Sequence, residues 1–580
     1  MEPVLRKAIK DVLEKLNIAD VAFSIEHPAD VTHGDYATNV AMVCAKKVGK
    51  NPREIAEQFL AELNDTIPQI AKIDIAGPGF INFHLSRDFF SEKITGILSN
   101  PDTWGNNNSL KGKKIIVEYT DPNPFKEFHV GHLFTNSVGE SLARLLIASG
   151  AQVKRINYQG DVGLHVAYAI WGLLDLGFTS KSDFTAMDLG KAYAHGAQTA
   201  KASSPFTEET RIINKFLYEK DENLVKERFA EYIPKFRDFD FPEILALYDK
   251  GRAVSLSYFE TIYAMIGTYF DAYFFESEAG PQGKEIVVAH PDIFIESNGA
   301  RIFEGEKFGL HTRVFLNNEG LPTYEAKELA LAKLKEERLG SYDLSIVSTS
   351  NEINEYFKVL KKAMSFIYPE LEMKTEHIGH GTVRLSTGKM SSRTGDVIRA
   401  VDFIEEVAET AMAKMFEGGR TTPHDELACD IALGAIKYAT LKGNIRQDSV
   451  FDKESALSFE GDSGPYLMYT HARICSIETK AKEAGIFADT YVAPETPYDI
   501  EKLLYQFPEV VLKAQVERAP HHVVVFLTEL ASAFNAFYAH EKIVDVDDAF
   551  APYKLALATA VRITLKNGLW ALGIKAPERV

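Results

Sequence analysis

The stretch KKIIVEYTDPNP (113–124) decides the fold, because a β-branched apolar run leads directly into a turn. The run 113–120 predicts a buried strand, and LFTNSVGESLARLLIASG (133–150) predicts a helix that ends at Gly150. VKRINYQGD (153–161) predicts a second strand. A strand, a helix and a strand at this spacing form a βαβ unit, so the sequence predicts a parallel sheet.

The flanking sequence predicts further domains on both sides of this unit. Residues 1–100 indicate a mixed α/β region in which IDIAGPGFINFHLS (73–86) forms two strands around Gly-Pro-Gly. The polar stretch TWGNNNSLKGKK (103–114) is typical of a linker. Residues 168–285 are mostly helical in pattern and interrupt the strands, which predicts an insertion, and helical patterns dominate after about residue 400.

Composition narrows the class of protein. A chain of 580 residues is too long for a single hydrophobic core, so we expect several domains. Its content of 46% hydrophobic and 25% charged residues is ordinary for a globular protein. We find no run of 18 apolar residues, the first residues predict an amphipathic helix rather than a signal peptide, and the three cysteines lack metal spacing. We therefore expect a cytoplasmic protein. The net charge of −18 does not favour nucleic-acid binding, although the last 80 residues, with 9 basic and 9 acidic side chains, permit it.

Phosphate chemistry is predicted at HVGH (129–132), between the first strand and its helix. Ligands of open parallel sheets bind at the carboxyl ends of strands, where helix N-termini favour anions. His129 and His132 can donate to phosphate oxygens, and Gly131 lets a nucleotide approach the backbone. The literal HIGH (377–380) precedes a strand instead, so we interpret its histidines as structural.

A second phosphate-binding candidate is GKMSSRTGD (388–396), a polar loop whose Lys389 suits a pyrophosphate. HVGH and this loop, in this order, resemble the HIGH and KMSKS signatures of class I aminoacyl-tRNA synthetases. Further segments narrow the resemblance to the arginyl-tRNA synthetase family, and it covers nearly the whole chain. These segments are VEYTDPNPFKEFHVGHL (117–133), NYQGDVG (157–163), LPTYEAKELAL (321–331), HGDYATNVA (33–41), GPGFINFHLS (77–86), GPYLMYTHARICSI (464–477), AFNAFY (533–538) and NGLWALGIKAPERV (567–580).

The resemblance implies a multidomain α/β protein. We expect a small α+β tRNA-contacting domain at 1–105 and a Rossmann-like parallel-sheet catalytic domain at 110–400 with the helical insertion at about 168–285. An all-α stem and anticodon-binding domain is expected at 401–580. The implied partners are L-arginine, ATP with Mg²⁺ and tRNA(Arg), and we expect a monomer that does not enter a membrane and has no resident metal site.

The resemblance also implies site residues. A guanidinium is best held by carboxylates, and Tyr324 and Glu328 share a helix face, so these positions suit arginine. The implied set is catalytic Lys126, His129, His132 and Lys389; ATP-binding Gly131, Asp161, Met390 and Ser391; arginine-binding Glu118, Asn123, Tyr324 and Glu328; and tRNA-binding Phe80, Phe83, Tyr466 and Tyr469.

Three positions depart from the family pattern. Val162 replaces the usual Trp, and Glu328 replaces an Asp, which adds one methylene to the pocket. Ser392 replaces the second lysine of KMSKS. Family members that lack this lysine tend to have one just before the first motif, and we expect Lys126 to supply the missing positive charge.

The implied reaction has two steps: arginine and ATP give arginyl-adenylate and pyrophosphate, and a hydroxyl of the terminal adenosine of tRNA then takes the arginyl group. The alternatives are a small-molecule nucleotidylyltransferase, a non-catalytic RNA-binding relative and another class I synthetase. The length disfavours the first, and the presence of His129, His132 and Lys389 disfavours the second. The third depends on whether Glu118 and Glu328 are assigned correctly.

Overall fold

The structure, a computed structural model, describes residues 1–18, 21–28, 33–64, 66–202, 204–231, 239–386, 398–417 and 425–580. It begins with a four-stranded antiparallel sheet in the order β1-β2-β4-β3, covered by helices. The predicted pair of strands around Gly-Pro-Gly is confirmed as β3 and β4. The elements are α1 Glu2–Lys15, β1 Ile25–Glu26, β2 Tyr36–Thr38, α2 Val40–Val48, α3 Pro52–Leu63, β3 Ile70–Ala76, β4 Phe80–Leu85 and α4 Arg87–Ser99.

The middle of the chain contains the predicted βαβ unit and the helices that interrupt it. The unit is β5 Lys114–Glu118, α5 Val130–Ala148 and β6 Gln152–Gln159. The elements that follow are α6 Leu164–Asp175, α7 Ala186–Ala202, α8 Ser204–Glu219, α9 Glu222–Arg228, α10 Phe241–Ile266, β7 Ala272–Phe275, α11 Glu276–Ala289, β8 Ile295–Ser297, β9 Ala300–Phe303, β10 Arg313–Leu316, α12 Tyr324–Leu339, β11 Leu344–Ser350, α13 Asn354–Ile367, α14 Pro369–Met373, β12 Thr375–His380 and β13 Val383–Leu385.

A five-stranded, all-parallel sheet in the order β12-β11-β5-β6-β7 organises this region. The chain proceeds from β5 towards β7 on one side and later adds β11 and β12 on the other. The strand order therefore reverses between β5 and β11, where open α/β sheets bind ligands. Glu118, the last residue of β5, lies in register with Ile156 of β6 and Val347 of β11.

The helical insertion ends earlier than the predicted range 168–285. The chain returns to the parallel sheet at β7, which pairs with β6, and α11 then packs against α12 of the sheet layer. The sequence gives little signal for β7 because this strand has four residues and a helix begins immediately after it. The helices between β6 and β7 form their own apolar core, which includes Phe125 from the loop after β5.

The C-terminal third is helical, as predicted, apart from the short strand β14, which pairs with β13. One continuous apolar core extends from β5 and α5 into these helices, so the helical part packs directly on the βαβ unit. Its elements are α15 Ala400–Glu417, α16 Asp425–Leu441, β14 Ser449–Phe451, α17 Lys453–Ala456, α18 Gly464–Glu483, α19 Asp499–Leu504, α20 Phe507–Val516, α21 His521–His540 and α22 Ala551–Ala571.

Among the helices in the described part of the chain, only α21 has the length and apolar composition that could cross a membrane. Eight of its residues, including Leu527, Leu530 and Phe534, are buried in the C-terminal core. A buried core helix passes the same test, so α21 gives little support for a membrane span.

Candidate active site

The HVGH segment joins β5 to the N-terminus of α5, where the sequence predicts it. His129 is the N-cap residue of α5, and Nδ1 of His132 accepts the backbone N–H of His129 at 3.2 Å. The two rings stack with centroids 3.7 Å apart. A Cβ on Gly131 would lie 2.9 Å from the His129 ring, so a larger residue here would displace this ring.

The two imidazoles are neutral at neutral pH. Burial and the nearby charge of Lys126 lower the pKa of His129 to about 4. Burial, with the charges of His129 and Lys126, holds the pKa of His132 well below its usual range. Because Nδ1 of His132 accepts a hydrogen bond, its proton lies on Nε2, which is free to donate to an anion.

A cavity of about 230 Å³ opens in front of these histidines. Gly131, His132 and Thr135 form one side of it, and residues that end or follow β12, including His380, form the other. Nε2 of His380 and Oγ1 of Thr135 lie 3.0 Å apart, within hydrogen-bond distance. The arrangement gives a nucleotide-sized opening at the switch point of the sheet.

The two histidines of the literal HIGH copy have different environments. The ring of His377 stacks on Phe357 at 3.8 Å and its Nε2 lies 2.8 Å from Oγ1 of Thr349, which fits the structural role that the sequence predicts. His380 lines the cavity, where a ligand can contact it. Strand β12 carries the motif to the carboxyl edge of the sheet. The sequence does not reveal this position, because it does not give the order of the strands.

The predicted phosphate residues Lys389, Met390 and Ser391 lie outside the described residues. The segments on either side of 387–397 are described, and both reach the site. Before it, β13 follows the cavity residues at the end of β12. After it, the carbonyl of Ile398 accepts the N–H of Val130 at 3.1 Å, and the N–H of Ala400 donates to Phe128 at 2.9 Å.

A cluster of acidic side chains, called the acidic pocket below, also lies at the carboxyl edge of the sheet. Glu118 ends β5, Asp121 follows it, Glu276 follows β7 and Glu328 lies on α12. Glu118, Glu276 and Glu328 are buried. Burial and the charge of Glu118 hold the pKa values of Asp121 and Glu328 well above their usual range.

Two buried lysines neutralise only part of this pocket. Nζ of Lys327 lies 2.6 Å from Glu276, and Nζ of Lys335 lies 2.5 Å from Glu118. Four carboxyl groups against these two ammonium groups leave an excess of negative charge when all are ionised. A buried excess of this kind is costly unless a cation enters, so the pocket is suited to a cationic ligand.

The loop between Glu118 and HVGH is strained. Thr120, Asp121 and Phe125 have φ values of 81°, 45° and 67°, which side chains rarely adopt. Hydrogen bonds hold the loop: Tyr158 N donates to Oδ1 of Asp121 at 2.7 Å, and Phe125 N donates to Ser255 at 2.9 Å. Strain that neighbouring contacts impose is typical of ligand sites.

Two more of the residues that are predicted to bind arginine lie near these carboxyl groups. Tyr324 begins α12, this residue is 51% exposed, and its ring lies 6.0 Å from that of Tyr356. Asn123 lies on the strained loop, and its Oδ1 fills the space that a Cβ on Gly160 would need. The structure therefore brings Glu118, Asn123, Tyr324 and Glu328 together.

Asp161 does not have the predicted ATP-binding environment. It is fully buried, and its carboxylate accepts from Ser277 N at 2.8 Å, Ser277 Oγ at 2.7 Å, Tyr248 OH at 3.2 Å and Arg252 Nε at 2.8 Å. These contacts link the end of β6 to α10 and α11. We correct its role to that of a structural anchor, because no face of the carboxylate is left for a nucleotide.

Comparison with known families agrees with this geometry. The catalytic-domain model of class I tRNA synthetases (R) matches residues 93–453. An arginyl tRNA synthetase N-terminal domain model matches 3–85, and a DALR anticodon binding domain model matches 467–580. The chain belongs to the arginyl-tRNA synthetase family.

Individual relatives span the full chain. Arginine–tRNA ligase of Clostridium acetobutylicum is 30% identical over 99% of this chain and 100% of its own length, and that of Enterococcus faecalis is 29% identical over 100% and 99%. The arginyl-tRNA synthetases of Thermus thermophilus and Plasmodium falciparum share the fold with a TM-score of 0.77 each. Their identities are 23% and 19%, and they cover 100% of this chain and 100% and 99% of their own.

The four aromatic residues predicted to contact tRNA have different environments in this family member. Phe83 is fully buried in the N-terminal core, so that prediction is wrong for a stacking contact. Tyr466 is half-buried, and its hydroxyl accepts from Asn535 at 2.9 Å. Phe80 is 39% exposed and Tyr469 is 38% exposed, so both remain available to RNA.

The sequence reasoning missed several residues of the synthetase site. Asp121 and Glu276 follow strand ends, so the rule that located HVGH would have found Asp121, and also Glu276 if β7 had been recognised. His165 hydrogen-bonds through Nε2 to the carbonyl of Gly160 at 2.8 Å, and burial lowers its pKa to about 3. Lys335 gave no signal, because its partner Glu118 is distant in sequence.

Proposed function

We propose that this chain activates L-arginine with ATP and transfers the arginyl group to tRNA(Arg). The observation that carries this proposal is the partly neutralised acidic pocket, which lies at the same carboxyl edge of the sheet as the HVGH cavity. A planar, permanently charged guanidinium suits such a pocket, and the adjoining helix N-terminus suits phosphates. The arginine carboxylate would then lie between the two, next to the α-phosphorus of ATP.

In the first step the arginine carboxylate attacks the α-phosphorus, and the bond from that phosphorus to the bridging oxygen breaks. Arginyl-adenylate forms and pyrophosphate leaves. We assign Nε2–H of His132, His129 and the ammonium groups of Lys126 and Lys389 to the charge that grows on the phosphate oxygens. Such fixed donors in a water-poor site supply much of the rate of phosphoryl and nucleotidyl transfer.

The guanidinium end is assigned to Glu118, Glu328 and Tyr324, and the α-amino or carboxylate end to Asn123. Glu118 already pairs with Lys335, so Glu328 and Asp121 offer the charge that the guanidinium needs. Free lysine as a substrate would leave some of these carboxyl groups unpaired. A buried unpaired group costs several kcal/mol, which corresponds to a preference for arginine over lysine of about a hundredfold or more.

Mg²⁺ is proposed to arrive with ATP as its phosphate complex. In the described ranges no group of three or more His, Cys, Asp or Glu side chains has the arrangement of a metal site. The phosphates themselves would be the main ligands of this ion.

In the second step a hydroxyl of the terminal adenosine of tRNA attacks the adenylate carbonyl, and AMP leaves. Family membership in class I points to the 2′-OH. For the tRNA body we propose two contact surfaces, Phe80 on the turn between β3 and β4 and a groove on the helical domain. The guanidinium of Arg473 lies 4.8 Å from the ring of Tyr469 and 5.6 Å from the ring of Tyr538. Aromatic and cationic groups together suit single-stranded bases.

We also propose that the enzyme acts in the cytoplasm as a monomer. The tRNA-contacting ends meet within one chain, since Tyr36 OH donates to Glu509 Oε1 at 2.8 Å and Arg87 pairs with Glu501. Both RNA surfaces can therefore be fixed relative to each other without a second subunit. Sedimentation of the purified protein with and without tRNA tests this assignment, because a dimer would sediment as twice the mass.

Amino-acid-dependent ATP–pyrophosphate exchange, measured over all twenty amino acids with and without total tRNA, tests the proposed function. We expect exchange with arginine alone among the amino acids, and a requirement for tRNA would show that RNA completes the site. Exchange with another amino acid would overturn the assigned specificity, and no exchange under any condition would overturn the activity itself.

A further inference from the structure

Lys126 has an unusual environment for a lysine beside an active site. In the described part of the chain no carboxylate lies within ion-pair distance of its ammonium group. The ammonium instead lies 5.0 Å from the ring centroid of Tyr193, a residue of the insertion helix α7. Burial lowers the pKa of Lys126, and Glu276 is the charged group that opposes this shift.

Close backbone packing fixes the position of α7. Gly172 on α6 has no room for a Cβ against the carbonyl of Ala192 on α7, and Gly196 on α7 has none against the carbonyl of Tyr168 on α6. The two helices therefore touch along their backbones, and α6 begins directly after the segment that follows β6. This contact ties α7 to the carboxyl edge of the sheet.

The same helix also packs against the segment that carries Lys126. A Cβ on Gly190 would lie 2.7 Å from the side chain of Glu127. Gly190 and Tyr193 are three residues apart on α7 and thus share a face. One face of the insertion helix therefore contacts both Lys126 and Glu127, three and two residues before His129.

We propose that Tyr193 is a positioning residue for Lys126, and that the helical insertion thereby takes part in the activation of arginine. The inference rests on the proposed role of Lys126 at the ATP phosphates. It assigns a function to the insertion that the family models, which treat the catalytic domain as one unit, do not give.

The chemistry explains why an aromatic ring suits this position. A lysine that leaves water needs a compensating partner, and a carboxylate would neutralise the charge that the phosphates require. Lys335 shows that arrangement, since Glu118 pairs with it. The face of a tyrosine ring attracts an ammonium group electrostatically but carries no net charge, so Lys126 stays in place and its full charge remains for the phosphate.

Replacing the ring tests the proposal. Tyr193→Leu keeps apolar bulk and removes the aromatic face, and we expect kcat of arginine-dependent pyrophosphate exchange to fall about 2- to 30-fold, with KM for arginine unchanged. Tyr193→Phe keeps the face and should retain wild-type exchange. Gln198→Ala, on an exposed position of the same helix, controls for effects on the helix, and thermal melts establish that each variant folds.

A double-mutant cycle distinguishes positioning from a general structural effect. We expect Lys126→Ala to lower exchange by more than a hundredfold and Tyr193→Leu to have no further effect in that background. Independent, multiplied losses would overturn the role of Tyr193, as would wild-type exchange in Tyr193→Leu. An unchanged rate in Lys126→Ala with arginine-specific exchange intact would overturn the role of Lys126 but leave the enzyme activity standing.

Discussion

The carboxylate of Glu118, at the end of β5, lies 2.5 Å from the ammonium of Lys335 on α12, and both side chains are almost fully buried. Glu328 lies seven residues before Lys335 on the same helix, on the same face. The pair therefore holds α12, which begins at Tyr324 and carries Glu328, against the central strand of the sheet. The proposed arginine site should therefore depend on this ion pair, although Lys335 has no predicted contact with arginine.

Lys335→Met should destabilise the protein strongly. Removing one partner of a buried ion pair leaves the other unpaired, and the free energy of unfolding should fall by about 3–5 kcal/mol. Urea unfolding measures this change. Lys333→Met, at an exposed pair on the same helix, is the matched control and should change stability by about 0.5 kcal/mol or less. Equal stability of the two variants would show that the buried pair contributes nothing.

The order of elements around HVGH was predictable because the β-branched run 113–120 and the helix pattern after it are local signals. The sequence predicted only some of the residues of the acidic pocket. Glu118 and Glu328 are separated by 210 positions, and Glu276 follows a four-residue strand that has no clear pattern. Phe80 and Phe83 on β4 were equally hard to distinguish from the sequence. Side chains alternate along a strand, so one of these rings lies in the core and the other on the surface, but only the packing of the strand determines which ring is buried.

Arginine affinity should rise with pH. The pKa of Glu328 is raised by burial and by the charge of Glu118, so this carboxyl takes up a proton at a higher pH than a free glutamate does. A guanidinium favours the ionised carboxylate, so binding must release protons, and affinity must fall as the pH drops below the raised pKa. Calorimetry of arginine binding in two buffers of different ionisation enthalpy, repeated over a series of pH values, counts the released protons.

Glu328→Gln is the control for this effect, because it removes the titrating carboxyl and keeps its shape. We expect KM for arginine to rise about 10- to 100-fold, which corresponds to about 1.4–2.8 kcal/mol, and the proton release to decrease. Glu328→Asp, which restores the residue usual in the family, should keep much of the affinity. A pH dependence equal to that of the wild type in Glu328→Gln would assign the titration to Asp121 or to the ligand.

Substitutions of the two histidines in the literal HIGH copy should affect pyrophosphate exchange to different extents. His377→Phe keeps the stack on Phe357 and should leave exchange at pH 7 within about twofold, since His377 does not line the cavity. His380→Phe removes the hydrogen bond to Thr135 and fills part of the cavity, so exchange should fall at least about tenfold. Equal losses in the two variants would contradict this division.

His377 should also contribute to the loss of stability in acid. Burial lowers its pKa to about 4, whereas an unfolded histidine titrates near 6.5. Between these values the unfolded state binds a proton that the folded state does not, so stability is lost as the pH falls from about 6.5 to about 4, by up to about 1.4 kcal/mol per pH unit. Urea unfolding at pH 7 and pH 5 should show a shallower loss for His377→Phe than for the wild type.

The groove around Arg473 should bind tRNA through both charge and stacking. The guanidinium of Arg473 lies close to the rings of Tyr469 and Tyr538, and Lys480 and Arg579 line the same cavity. Arg473→Ala should weaken tRNA binding and reduce the slope of log K against log salt by about 1, because one phosphate contact is lost. Tyr469→Ala should weaken binding by a stacking contact of about 1–3 kcal/mol without changing that slope.

Filter binding of tRNA(Arg) over a salt series measures both the affinity and the slope for Arg473→Ala and Tyr469→Ala. Lys358→Ala, at an exposed lysine on α13, is the control. Since the two residues touch, a slope that changes equally in both variants would mean that Tyr469 acts only by holding Arg473, and an unchanged slope in Arg473→Ala would place the RNA elsewhere on the helical domain.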